Sequence, residues 1–589
     1  MRLLLTAVNA KYIHSNLAVY SLRAYAGTYR EQIELAEYTI NHRLEYILSG
    51  IYRKKPDVLC FSCYIWNISM VLSVAEEFHK LCPEVPIWMG GPEVSYETEA
   101  FLRAHPFVTG VMVGEGEESF RQLCEYYVNQ EKNGKIRADG RPQTIRGLAF
   151  LDGDGHMIFT EPQEPLDMST IPFCYDSMED FKNRIIYYES SRGCPFRCSY
   201  CLSSIEKRLR FRDIRLVKQE LAFFIEKEVP QVKFVDRTFN CDHQHAMEIW
   251  KFIKEHDRGI TNFHFEIAAD LLTGEEIAFI GSLRPGLIQL EIGVQTTNPR
   301  TITEIHRHMD LSRLKDVVNK IKAPQNVHQH LDLIAELPFE DYATFQRSFD
   351  EIYALKPEQL QLGFLKVLKG SFMFEHAKEY GVVYGSQPPY EVLKTRWLSY
   401  DDVLKIKQVE EMLEVYYNSR QYPMSIRLLE TEFDSAFAMF AALGAYYERK
   451  DYFSMSHSRI RRLEILLEFA EELDPEHLPV FREAATYDIY SRENAKSRPA
   501  FAGDLTEYRE LTRKFCKNGK LQHLEQFYYI MPEDETIQQL PEREMQPYYL
   551  LFDYETRDPL NHQAKIRRIG IQNKKEETQH AGALCGIGS

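Results

Sequence analysis

No apolar run in the chain approaches the ~20 residues needed to cross a bilayer, which excludes a membrane-spanning helix. Met1–Val8 carries one arginine and an apolar run but no small-residue cleavage site, so it reads as a first strand and not as a secretory leader. Positive charge is also short. Against 71 Lys and Arg stand 87 Asp and Glu, a net charge of −16. With no basic stripe, a largely electrostatic grip on nucleic acid is not expected. The 11 cysteines are odd in number and mostly scattered, so they suggest no disulfide framework.

Composition is otherwise that of an ordinary globular protein, 44% hydrophobic and 27% charged. A length of 589 residues allows roughly three or four domains, each with its own core.

The chemistry concentrates in Ser190-Ser191-Arg192-Gly193-Cys194-Pro195-Phe196-Arg197-Cys198-Ser199-Tyr200-Cys201. The apolar run Ile185–Tyr188 leads into it, as a strand opens into a loop. Three thiolates at Cys-x3-Cys-x2-Cys spacing are one short of the usual complement of a [4Fe–4S] cluster, which leaves one iron for a non-protein ligand. The competing reading is a structural zinc loop, which wants four ligands in two short pairs. This stretch resembles the signature of the radical S-adenosylmethionine (SAM) enzymes. The resemblance implies that Cys194, Cys198 and Cys201 hold the cluster and that Tyr200 lies near the adenine of SAM. It also implies that one electron from the cluster cleaves SAM to methionine and a 5′-deoxyadenosyl radical.

Residues 1–140 alternate β-like runs (Leu3–Val8, Ile33–Tyr38, Val58–Tyr64, Pro86–Gly91, Thr109–Gly114) with amphipathic stretches. That alternation predicts a doubly wound, flavodoxin-like parallel sheet, whose ligands bind beyond the carboxyl ends of the strands. Those ends carry Asn9–Asn16, Ser62–Asn67, Gly90-Gly91-Pro92-Glu93 and Gly114-Glu115-Gly116-Glu117. The last is no dinucleotide fingerprint, since it follows the fifth strand and lacks a third glycine. Together with the cysteine motif, these loops resemble the cobalamin-binding domain of cobalamin-dependent radical SAM enzymes. On that resemblance Asn9, His14, Ser62, Tyr64, Gly90, Gly91, Glu93, Gly114 and Gly116 are the candidate cobalamin contacts. His14 stands outside the Asp-x-His-x-x-Gly motif that many cobalamin proteins use to ligate cobalt from below.

Residues 141–180 read as a connector, with a hairpin at Gly147–Leu151 and His156–Phe159 around Asp152-Gly153-Asp154-Gly155. From 181 to 375 a βα unit repeats, with strands expected at Ile185–Ser190, Val232–Asp236, Phe263–Ala268, Ile288–Gln295, His328–Leu337 and Gln359–Leu368. Six such units predict a partial (β/α)6, TIM-like barrel with its chemistry at the carboxyl ends. Gly293-Val294-Gln295, Arg307 and Asp332-Leu333-Ile334-x-x-Leu337-Pro338 resemble the oxygen-independent coproporphyrinogen oxidase branch. There the matching Gln and Asp hold the SAM ribose and the Arg engages its carboxylate region; Glu266 matches a further SAM contact. Glu336 departs from the branch, which has glycine before Leu-Pro. Asp236, in Phe234–Asn240, is a further candidate.

Residues 376–570 read as a mainly helical domain, with helices expected at Tyr400–Asn418, Leu428–Tyr447 and Arg461–Leu473 and extended pieces at Gln526–Ile530 and Tyr548–Tyr554. It resembles an uncharacterised extension of some cobalamin-type radical SAM proteins. Residues 571–589 read as a disordered tail.

The expected function is a radical SAM enzyme that relays a methyl group through cobalamin to a substrate carbon. The alternatives are a non-methylating radical oxidoreductase or cyclase, and a cluster- or cobalamin-binding sensor. Implied partners are a small-molecule, lipid or peptide substrate and a one-electron reductant such as flavodoxin or ferredoxin.

Overall fold

The computed structural model describes residues 1–132, 143–519, 521–529, 540–558 and 560–570. The expected tail, 571–589, lies outside them. The chain divides into two compact units, 1–403 and 404–589.

The first unit holds two large sheets, one parallel over its first five strands and one parallel throughout. One comprises β1 (Leu3–Asn9), β2 (Ile33–Thr39), β3 (Val58–Ser62), β4 (Ile87–Gly90), β5 (Gly110–Met112), β6 (Leu148–Leu151) and β7 (Met157–Phe159), in the order β2-β1-β3-β4-β5-β6-β7. β1 to β5 run parallel, separated by α1 (Leu17–Tyr25), α2 (Leu44–Lys54), α3 (Ile68–Leu81) and α4 (Thr98–Ala104), and α5 (Glu117–Lys132) follows. This 2-1-3-4-5 order is that of flavodoxin-like folds. Every residue of β1 and β3 is buried, because helices cover both faces of a parallel sheet and neither face can be polar. The predicted hairpin is present as β6 and β7, but it extends this sheet antiparallel instead of standing apart as a connector.

The second sheet is built from β8 (Ile186–Tyr188), β11 (Gln231–Phe234), β12 (Asn262–Ile267), β13 (Ile288–Gln295), β14 (His328–Ala335) and β15 (Gln359–Phe364); the short pair β9 (Ser191–Arg192) and β10 (Arg210–Phe211) lies between the first two in sequence. All six main strands are parallel and in sequence order, and the end strands β8 and β15 are not paired with each other. This is the open (β/α)6 arrangement. Its helices are α6 (Ile214–Glu226), α7 (His243–His256), α8 (Gly274–Gly281), α9 (Pro299–Glu304), α10 (Leu311–Lys322) and α11 (Tyr342–Tyr353). In β13 the buried Ile288, Leu290, Ile292 and Val294 alternate with Gln289, Glu291, Gly293 and Gln295, so one face packs on apolar neighbours and the other is polar. α12 (Phe372–His376), β16 (Val383–Tyr384) and β17 (Val392–Lys394) complete this unit, which therefore runs past residue 375.

α13 (Tyr400–Leu413) spans the division and continues as a π-helical turn over Glu414–Asn418. The second unit contains α14 (Pro423–Glu430), α15 (Ala436–Arg449), α16 (Arg459–Leu473), α17 (Leu478–Arg492) and α18 (Arg509–Phe515). β18 (Gln522–Phe527), β19 (Tyr548–Arg557) and β20 (Ala564–Ile569) form an antiparallel sheet. The single helix expected over Leu428–Tyr447 is broken in two, because Ser435 caps α15 by accepting from Ala438 N. Asp488 of α17 accepts from Met424 N, Ser425 N and Ser425 Oγ, satisfying first-turn donors of α14.

Candidate active site

The cysteine loop leaves the carboxyl end of β8. Gly193 takes φ +93°, and a Cβ there would lie 2.5 Å from Arg208 O, so only glycine lets the loop pass. Cys194 N then donates to Glu206 O at 3.1 Å, and Ser199 N to Ile305 O at 2.9 Å. Cys194 and Cys198 are buried and Cys201 is half-buried. Among the described residues, their ligand atoms do not close within 4.8 Å of one another, as thiolates sharing one zinc ion would. The chain has another Cys-x2-Cys pair, Cys60 and Cys63. It lies on the first sheet, where burial pushes both thiols up, to about 12 at Cys60. A cluster, in which each thiolate takes a different iron, fits the loop better than a closed zinc site.

Around the loop lie polar atoms with nothing to bond. Arg307 reaches Gly293 O through Nη2, while Nη1 stands 3.8 Å from Cys198 Sγ and 3.5 Å from Tyr200 Oη. Its Nε is buried without an acceptor, and Gln295 Oε1 is buried without a donor. A Cβ at Gly293 would come within 2.4 Å of Gln295 Nε2, so a larger residue there would displace the glutamine side chain. Asp332 sits opposite Gly293 on β14. Its Oδ1 is 3.1 Å from His330 Nε2, an ion-pair contact that lacks hydrogen-bond alignment. Burial raises the Asp332 carboxyl despite His330. Burial, reinforced by Glu291, pushes Glu266 up to about 7. Glu291 is itself held far below its ordinary value by His264 and Lys233, each 2.8 Å away, against its own burial. Unspent buried donors and acceptors of this kind fit a polar ligand carrying a diol and a carboxylate. Glu336 is buried and takes φ +73°, a left-handed conformation that glycine adopts without strain.

The carboxyl ends of the first sheet open on a cavity of about 790 Å³. Asn9, His14, Ser62 and Tyr64 line it, as do Gly90, Gly91, Gly114 and Gly116. Tyr187 of β8 lines it, with Glu189, Arg192 and Arg237 from the segments that follow β8 and β11, so the cavity lies at the carboxyl ends of both sheets. Gly114 takes φ +84° and a Cβ there would meet no atom within 4 Å, which leaves an open cradle; at Gly91, φ +117°, a Cβ would strike Cys63 O at 2.4 Å. Leu5, Phe61 and Met112 form apolar depth, and Tyr64 stacks on Trp66 at 4.4 Å between ring centroids. These features fit a large flat ring system. The His14 imidazole is held by Tyr187 Oη at Nδ1 (2.5 Å), and burial with Lys11 and Lys233 lowers its pKa, favouring the neutral ring. Glu93 does not line the cavity. Its carboxylate bonds to Tyr390 Oη and lies 3.4 Å from Lys369 Nζ, so it fastens the β4 loop to the segment after β15.

Sequence reasoning missed the residues that join the two sheets. Arg192, inside the cysteine motif, meets Glu117 at 2.5 Å, Glu189 at 2.9 Å and Glu115 at 3.6 Å. Arg210 also grips Glu115 and donates to Leu166 O at 2.7 Å. The two glutamates of Gly114–Glu117 belong to a loop that the sequence marks for ligand binding, and nothing in its pattern names Arg192 as their partner. Asp236 meets the motif from β11, accepting from Ser190 and Ser191.

Three family models match successive parts of the chain. Residues 3–124 match the B12 binding domain family, 188–352 the radical SAM superfamily, and 378–558 a family of proteins of unknown function, DUF4080. The chain is 24% identical over 383 residues to an uncharacterized methyltransferase, PH0819, of Pyrococcus horikoshii, covering 62% of this chain and 78% of that one. It is 24% identical over 313 residues to the cobalamin-dependent radical SAM methyltransferase TokK of Streptomyces tokunonensis, covering 50% of this chain and 44% of that one. An anaerobic magnesium-protoporphyrin IX monomethyl ester cyclase of Rubrivivax gelatinosus is 21% identical over 310 residues, covering 50% and 54%. The chain thus spans about half the length of the last two. Among solved structures, the cobalamin-dependent SAM radical enzyme OxsB, with aqua-cobalamin and SAM bound, shares the fold at TM-score 0.57 and 13% identity, over 88% of this chain and 84% of that one.

Proposed function

We propose that this chain, in which a B12-binding domain is joined to a radical SAM domain, is a cobalamin-dependent radical SAM methyltransferase acting on a carbon of its substrate. One observation carries the reading. The loops that would cradle the corrin and the strand that feeds the cysteine loop line the same cavity, with Arg192 common to both.

In this reading Cys194, Cys198 and Cys201 hold the cluster. Tyr200, Glu266, Gln295, Arg307 and Asp332 hold SAM. Asn9, His14, Ser62, Tyr64, Gly90, Gly91, Gly114 and Gly116 face the corrin. When bound, the cluster supplies the electron that cleaves SAM, and cobalamin supplies a methyl carrier. The chain's own residues do the rest. Arg307 brings a positive charge to Cys198 and keeps Nε for a carboxylate oxygen. Gln295 and Asp332 offer acceptors to a ribose diol. Glu266, near 7, can accept or donate at physiological pH. The Arg192 network ties the Glu115 and Glu117 loop of the first sheet to the cysteine motif.

Among the described residues no helix is long and apolar enough to cross a membrane. The reading adds a small-molecule, lipid or peptide substrate, an external one-electron reductant, and work in the cytoplasm, where an oxygen-sensitive cluster survives.

A second reading, radical chemistry without methyl transfer, is favoured by the likeness to the cyclase. Anaerobically reconstituted chain given SAM, hydroxocobalamin and a strong reductant separates the two. S-adenosylhomocysteine beside 5′-deoxyadenosine supports the methyltransferase; 5′-deoxyadenosine alone supports the second reading.

A further inference from the structure

Asp236 follows β11, is fully buried, and forms no ion pair among the described residues. Ser190 N donates to its Oδ1 at 2.8 Å, while Ser190 Oγ and Ser191 Oγ donate to Oδ2 at 2.5 and 2.8 Å. His245 Nε2 lies 3.0 Å from Ser190 Oγ, and burial lowers the pKa of that imidazole. A neutral ring donating to Ser190, which in turn donates to Asp236, completes the chain. Asp236 thus meets one backbone N–H and two hydroxyls able to donate to an ionised carboxylate, and these offset part of the upward push that burial gives its pKa.

The segment that carries Asp236 also touches the cysteine loop. Two residues on, Thr238 Oγ1 is 3.7 Å from Cys194 Sγ. Asp236 and Cys194 both act on the nearby Cys241 thiol, which burial and these charges push up to about 11.

We propose that Asp236 is a positioning residue that anchors the cysteine loop to β11 and, as a buried charge with no cation beside it, lowers the reduction potential of the cluster held by Cys194, Cys198 and Cys201. The inference rests on the cluster of the proposed function. Reduction adds one electron and no proton, so the cluster gains negative charge. A fixed negative charge in a low-dielectric interior opposes that gain more strongly than one in water would. The one-electron donor must therefore be stronger, and the reduced cluster is a correspondingly better donor to a sulfonium.

The test is a potentiometric titration of the anaerobically reconstituted full chain, read by the electron paramagnetic resonance signal of the reduced cluster. Wild type, Asp236→Asn and Ser191→Ala are compared. Asp236→Asn removes the charge and is expected to move the midpoint positive, so that at the wild-type midpoint its reduced form outnumbers the oxidised severalfold. Ser191→Ala removes one donor but keeps the charge less compensated, and is expected to move the midpoint negative. A wild-type midpoint in Asp236→Asn, or both variants moving in one direction as loop loosening alone would give, overturns the proposal. If Asp236→Asn assembles no cluster, Ser191→Ala decides: a negative shift supports the proposal, and an unchanged or positive midpoint overturns it. A wild-type chain that binds no cluster refutes the proposed function instead.

Discussion

Arg192 Nη2 lies 2.5 Å from Glu117 Oε1, and this contact joins the cysteine motif to a loop 75 positions earlier. Both side chains are largely shielded from water, at 17% and 7% exposure. Arg192→Ala would leave Glu115, Glu117 and Glu189 facing one another without their shared cation. Breaking a buried pair in this way costs about 3–5 kcal/mol. Glu117→Gln keeps a hydrogen-bond acceptor and leaves Arg192 its other carboxylates, so its cost is about 1–3 kcal/mol. Urea unfolding of the first transition should rank wild type, Glu117→Gln and Arg192→Ala in falling stability. Added salt should change the order little.

Two cavity glycines should respond differently to alanine. Gly91→Ala drives a Cβ into Cys63 O, a backbone atom that cannot move aside cheaply. It should lower the melting temperature by several degrees and abolish cobalamin retention. Gly114→Ala meets no neighbour and suffers only its positive φ, a strain of about 1 kcal/mol. It should melt close to wild type yet bind cobalamin at least severalfold more weakly. Differential scanning calorimetry and equilibrium dialysis of hydroxocobalamin check the pair.

Glu266 gives the cofactor-free chain a pH dependence of known sign. Its folded-state pKa is raised from 4.5 to about 7, so between these values the folded chain binds more protons than the unfolded one. Stability from this group is therefore present below about 4.5 and declines as pH rises through 7. The penalty is about 3 kcal/mol at most by the pKa difference. Glu266→Gln removes it. The variant should melt above wild type at pH 8, and the gap should close by pH 5.

Arg307→Lys should weaken SAM binding to the reconstituted chain tenfold or more, about 1.4 kcal/mol. A lysine cannot reach Gly293 O and the Cys198 side together while still presenting a second donor to a carboxylate. Iron content should stay at the wild-type level. Equilibrium dialysis with labelled SAM and an iron assay give both values.

What the sequence made legible follows from how locally each feature is encoded. The cysteine loop stands out by its own spacing, whereas Gln295, Arg307 and Asp332 are singled out by their resemblance to a known branch of enzymes. The parallel order of the first sheet followed from its alternating runs. Arg192 could not be read, because periodicity assigns a residue to a face and says nothing of partners 75 positions away. Glu93 sits in a loop of the expected kind, yet Tyr390, 297 positions on, turns it from the cavity. The break between α14 and α15 rests on one serine cap that outweighs a continuous apolar pattern.

The most direct measurement is the iron, sulfide and cobalamin content of one anaerobically reconstituted sample after gel filtration, for wild type and for the chain with Cys194, Cys198 and Cys201 all replaced by alanine. The structure leads us to expect about four irons and about one cobalamin per wild-type chain, with the iron lost and the cobalamin kept in the variant. A single metal ion per chain lost on the same substitution, or a wild-type chain that retains no cobalamin, would contradict it.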